Sequence, residues 1–169
     1  MRFRDFLRVS VLLYGAAATT VAVVSVAGAT RSDDTALVYV ASVWWCIAGL
    51  AGLWLGRRPE TTEGIARLLA GARTTNSLPE LEPGAVMFNR LWPLGVATVL
   101  AGAVGFFFPQ VPVVATGFLL LVALLWRRQS SAVQAIEGRD GVEFWFDKSS
   151  PLGAPKLLRL PGLRRIEPV

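Results

Sequence analysis

One cysteine and no histidine set narrow limits on what this chain can do chemically. Without histidine the chain lacks the commonest metal ligand, the haem axial imidazole and the usual general base at neutral pH. Cys46 alone forms neither an intramolecular disulfide nor a thiolate zinc site. Inside an apolar run it reads as a small packing residue. The carboxylates with most company are Glu60, Glu63, Glu80 and Glu82, and arginines stand beside them, so they read as a solvated loop. Asp33 and Asp34 adjoin Arg31, whose charge opposes a bound cation, and two carboxylates alone make a poor site. There is no Walker A loop, no HExxH helix and no GxSxG elbow. No catalytic, cofactor-binding or metal-ligating residue is expected, and the chain is expected not to be an enzyme.

The elements that carry these residues are apolar to an unusual degree. Hydrophobic residues make up 53% of the chain and charged residues 17%, where a soluble domain carries nearer ~25% charge. The charge is also segregated. Residues 9–29 and 35–55 are uncharged runs of 21 residues each, joined by the polar turn Thr30-Arg31-Ser32-Asp33-Asp34. At 1.5 Å per residue, each run is long enough for a hydrocarbon core of about 30 Å. Residues 91–126 form a third uncharged run, 36 residues long, interrupted by Phe108-Pro109-Gln110-Val111-Pro112. Two prolines remove two backbone donors and disfavour helix at the residues before them. The run is therefore expected to fold as two helices, 91–108 and 111–126, which only just span; a re-entrant hairpin is the rival reading. The expected fold class is an all-α integral membrane protein with four transmembrane helices arranged as two hairpins. No Asp, Glu, Lys or Arg falls inside these spans, so no intramembrane proton relay is expected.

The basic residues set the orientation. With the N-terminus inside, the inner segments 1–8, 56–90 and 127–169 hold sixteen of the Lys and Arg residues, and the outer turns hold only Arg31. The positive-inside rule then places both termini in the cytoplasm of a multi-pass cell-membrane protein. The net charge of +5 is accordingly assigned to anionic lipid headgroups at the inner leaflet and not to nucleic acid, for which no separate basic helix or aromatic platform exists. Arg-rich residues 1–8 followed by an apolar run and Ala27-Gly28-Ala29 resemble a signal peptide. The run exceeds the usual apolar length of one, so a retained span is expected.

Two segments on the inner side carry pattern of their own. Within the inner loop 56–90, Ile65, Leu68, Leu69 and Ala72 recur at helical spacing, and Pro59 with Glu60 suits a first turn. An amphipathic helix over about 60–73 is expected at the membrane surface, with irregular loop from Thr74 to Gly84. After residue 128 comes a tail, 129–169. In it the last helix continues towards Glu137 and Gly138-Arg139-Asp140-Gly141 signals a turn. Val142, Phe144 and Phe146 then alternate with Glu143, Trp145 and Asp147 as a strand does. Residues 156–160 are its expected partner, across a loop bearing Pro151, Gly153 and Pro155. So short a hairpin cannot bury a core alone. Ile65, Leu68, Leu69, Val142, Phe144 and Phe146 are therefore the candidate surface of a cytoplasmic cap, or of a site for a protein partner.

Small residues recur three or four apart along the first two helices, including Gly15, Ala18 and Ala22 in the first and Gly49, Gly52 and Gly56 in the second. Such stripes let backbones approach closely. The expectation is packing of these two helices on each other, with a homo-oligomer interface as the alternative. The chain resembles no family closely enough to carry residues across. Its four-span size is that of small exporters and fluoride channels, but it has neither the membrane-embedded carboxylate of the former nor the glycine-rich asparagine signature of the latter. The leading expectation is a non-enzymatic accessory or scaffold protein whose loop and tail engage a protein partner or anionic lipid. The alternatives are a small oligomeric transporter or channel using Thr98 and Thr116 as a polar path, and a lipid-modifying enzyme.

Overall fold

The computed structural model describes residues 1–75, 82–147 and 156–161. Four helices in it are long and apolar enough to cross a membrane: α1 (Phe3–Arg31), α2 (Thr35–Arg57), α4 (Pro83–Val104) and α5 (Gln110–Asp140). Between α2 and α4 lie a 12-residue helix, α3 (Pro59–Ala70), and a two-residue strand, β1 (Arg73–Thr74). After α5 come β2 (Val142–Phe146) and β3 (Leu157–Pro161).

The helix boundaries have local causes. At the α1–α2 turn Asp33 takes a positive φ of 55°, and the Asp34 side chain accepts the N–H of Leu37 at 3.0 Å, capping α2. This carboxylate thus serves as an N-cap. Pro59 and Pro83 stand in the first turns of α3 and α4, where a missing N–H costs nothing. Gly141, at φ 63°, ends α5 in the left-handed conformation that glycine adopts without steric cost.

The third apolar helix differs from the expected 91–108. It begins eight residues earlier, at Pro83, and ends at Val104. Charge marked the expected start, but Asn89 and Arg90 are ordinary helix residues and the backbone runs through them. At the other end, Gly105 permits a close turn, because a Cβ there would stand 2.6 Å from the Pro112 ring. With 22 residues, α4 is about 33 Å long. The added length lies on the charged side of the expected start and carries Arg90 into the helix, while the uncharged part ends at Val104.

Helix packing also departs from two hairpins packed pairwise. α5 is the central element and lies along both α1 and α2, which touch each other little. α1 turns Ala18, Val21, Ser25 and Ala29 inwards, and α2 turns Ala41, Ala48, Gly52 and Gly56 inwards. The expectation that α1 and α2 pack on one another is corrected: a short turn makes helices neighbours in sequence, while the face each buries is set by where its small residues meet α5. α4 is lightly held, with Leu91 its one buried residue.

All the non-spanning elements gather at one end. β3 is the middle strand of a three-stranded sheet, antiparallel to β2 and parallel to β1. In register, Phe146 faces Leu157 and Phe144 faces Arg159, while Arg73 pairs with Leu158. The α2–α4 connection thus gives a strand to the tail's hairpin, at Arg73–Thr74, where the end of the amphipathic helix and the start of an irregular loop were expected. On the other edge β2 is bridged by Arg2, opposite Trp145, and the Phe146 N–H donates to the Met1 carbonyl at 3.2 Å. The expected loop with Pro151, Gly153 and Pro155, and Glu80, lie outside the described residues.

Candidate functional site

The capped end of the bundle is where residues of widely separated segments meet. Phe144 and Phe146 are 2% and 1% exposed, and they share one buried cluster with Ile65 and Leu69 of α3. Leu68 and Val142 are half-buried against that cluster. The structure therefore brings together the candidate residues of the loop and the tail and turns them inwards.

What sequence reading missed is the third contributor. Phe3, Phe6 and Leu7, at the start of α1, lie in the same cluster, with Leu91 of α4 and Val133 of α5. The Phe146 ring meets Phe3 edge-on at 5.5 Å between centroids and Phe6 at 4.9 Å, separations at which aromatic edges and faces attract. Phe3, Phe6 and Leu7 recur at helical spacing between the basic residues 2, 4 and 8. That signal was present, but the arginines drew the segment into the class of charged membrane flanks. Arg90 lies over the Phe146 ring at 5.3 Å from its centroid, a cation–π distance.

Polar contacts fix the sheet to the helices. Glu137, on the last turns of α5 and well past the apolar run, accepts the Phe144 N–H at 3.2 Å. Burial raises its carboxyl above the ordinary glutamate pKa, while the Phe144 N–H and the nearby Arg4 pull the other way. Arg2 pairs with Glu143 at 3.1 Å and lies 5.7 Å from the centre of the Trp145 ring.

The small residues sort into two groups. A Cβ at Gly52 would stand 3.1 Å from the Leu121 carbonyl oxygen and from Leu124 Cβ, and one at Gly56 would stand 2.8 Å from Arg128 Cγ. The GxxxG of α2 is thus a place where α2 and α5 approach closely. Further along the same contact Gly117 lies under the Trp44 indole, and Trp45 Nε1–H donates to the Val113 carbonyl at 2.9 Å. Ala18 is buried. Gly15 and Gly49 have open space where a Cβ would go, so these two do not mark a close approach, and Ala22 is half-buried. Cys46 is exposed, contrary to the expected packing role.

Thr98 donates its hydroxyl to the Leu94 carbonyl and Thr116 to the Pro112 carbonyl, each at 2.8 Å on its own helix. Among the described residues no group of three His, Cys, Asp or Glu side chains comes close enough to hold a metal ion.

Among the described residues, grooves open on the helix surfaces. At the α1–α2 turn one of about 440 Å³ is lined by Gly28, Arg31, Ser32, Phe106 and Pro109, among others. At the capped end one of about 570 Å³ lies between α1 and α5. No family model matches this chain, and neither the curated proteins nor the solved structures contain a match to it.

Proposed function

We propose that this is a multi-pass protein of the cell membrane, with both termini cytoplasmic, acting as a non-enzymatic accessory or scaffold protein through its cap. The carrying observation is the convergence of three segments. Residues 1–8, 56–90 and 127–169 contain sixteen of the chain's Lys and Arg residues, and their described parts meet at one end of four long apolar helices. That is the charge distribution the positive-inside rule requires of a cytoplasmic face. A cap closed over its own aromatic core presents its outer face to a partner: Arg73, Trp145 and Lys156 are positions on that face or its edge. Retention of the first helix belongs to this reading, because cleavage near Ala29 would strip the cap of Phe3, Phe6 and Leu7.

Photo-crosslinking in intact cells tests the reading. A photoreactive residue at position 73 or 156 is expected to give a discrete adduct with another membrane or cytoplasmic protein. Phe146→Ala, which loosens the cap, should abolish it. No adduct from either position, together with solute flux by the purified chain in liposomes, would instead make this a transporter.

A further inference from the structure

The groove at the capped end has a lining that points to one ligand chemistry. α1 contributes Arg8, Val11 and Leu12, and α5 contributes Arg127, Ser130, Ser131 and Gln134. Each set falls at i, i+3, i+4 spacing, so each is one helix face. The two guanidinium groups carry the only formal charges in the groove among the described residues. Arg8 donates to Gln134 Oε1 at 3.4 Å, and neither Arg8 nor Arg127 has a carboxylate partner among the described residues. One turn further out the situation differs, since Arg4 lies near both Asp5 and Glu137. The positive charge of this groove is thus uncompensated among the described residues.

The position of these two arginines matters as much as their charge. Arg8 immediately precedes the uncharged run 9–29, and Arg127 immediately follows the run that ends at Trp126. Both are the first charged residues outside the apolar part of their helix, which is the depth of lipid phosphates in a bilayer. Towards the middle of the helices the same groove continues as Val11 and Leu12, the latter 71% exposed. The groove therefore joins a dicationic, hydroxyl-lined end to an apolar flank.

We infer that the α1–α5 groove binds the phosphate diester of an anionic phospholipid from the inner leaflet. Arg8 and Arg127 hold the non-bridging oxygens, Ser130 and Gln134 take the glycerol hydroxyls, and one acyl chain lies along Val11 and Leu12. Guanidinium groups suit this task, because their planar forks present two parallel donors to a phosphate. A choline headgroup would bring its own cation into the field of both arginines, so a lipid with net negative charge is preferred. The site rests on the membrane reading given above, but not on the scaffold role.

The test is native mass spectrometry of the full-length protein in mild detergent, titrated with phosphatidylglycerol or with phosphatidylcholine of the same chains. The expected result is a one-lipid adduct that favours phosphatidylglycerol. Arg8→Gln with Arg127→Gln should weaken that adduct about thirtyfold, from about fivefold for each arginine near a lipid surface. Arg57→Gln, at the same end on α2, should leave it unchanged. Ser130→Phe fills the groove at constant charge and should also remove the adduct, which diffuse attraction to basic residues would not predict. Equal weakening by Arg57→Gln, or no effect of Ser130→Phe in a folded variant, would overturn the site. Binding of glycerol phosphate as tight as that of the lipid would overturn the lipid as its source. Recovery of the chain in the soluble fraction without detergent would instead sink the membrane reading itself.

Discussion

Gly52 sits where α2 and α5 come within backbone reach, with the Leu121 carbonyl and Leu124 Cβ both 3.1 Å from where a Cβ would be. A leucine there cannot be absorbed by a rotamer change, because one of the atoms in its way is backbone. Gly52→Leu should cost about 1–3 kcal/mol or more through overpacking. Leu53→Ala, one residue away on the outer side, should change stability by much less. Thermal melts of the two variants in detergent check this, and equal melting temperatures would mean the helices do not meet at Gly52. Glu137 offers a second residue-scale expectation. Burial raises its carboxyl pKa, so the folded state binds a proton more readily than the unfolded state. Stability is then greatest below the ordinary glutamate pKa and falls as pH rises from that value through the raised one. Glu137→Gln keeps an acceptor for the Phe144 N–H and should flatten that fall. Glu137→Ala leaves the N–H unsatisfied and should cost about 1–3 kcal/mol. Melts from acid to neutral pH separate the three proteins.

At the scale of elements, the cap is one hydrophobic cluster assembled from four parts of the chain. β2 alone offers two fully covered phenylalanines, which share their cluster with residues of α1 and α3 as well as Leu157 of the hairpin itself. Covering each is worth about 1.5–3 kcal/mol, which holds a small sheet only while its cover stays in place. Amides 142–146 should therefore exchange slowly in the purified protein. Phe6→Ala, which removes a ring 4.9 Å from Phe146, should accelerate their exchange strongly, since core Phe→Ala changes cost about 3–5 kcal/mol. Exchange in the middle of α2 should not change, because α2 has no part in that cluster. Fast exchange over 142–146 in the unaltered protein would mean that the cap does not form without a partner.

For the molecule as a whole, the arrangement has one apolar bundle and one capped end. α5 ties the bundle together, and its extension past Trp126 reaches into the cap, with Val133 wholly buried there. Sidedness follows from the charge and is open to direct test. In a Cys46→Ala background, a cysteine placed at Asp33 should react with an impermeant maleimide in intact cells. One placed at Arg139 should react only after permeabilisation. The reverse pattern would turn the molecule over and move the cap to the outside.

The sequence by itself determined the number of long apolar helices, a proline-marked break near residue 109, the amphipathic helix after Pro59 and the alternating strand at 142–146. Each is written in short-range periodicity or in proline placement, which act over a few residues and need no neighbours. Helix length was less legible for α4, because charge was used as a boundary and Arg90 interrupts hydropathy without interrupting the backbone. Tertiary structure alone decided which faces meet. The stripes of α1 and α2 were readable as packing faces, but nothing local says that their common partner is α5, or that Gly15 and Gly49 lie off the contact. It also alone decided that Arg73–Thr74 joins the sheet and that Phe3, Phe6 and Leu7 close the cap. Those are pairings between residues more than sixty positions apart, and a pairing at that distance is set by the shape of the whole fold.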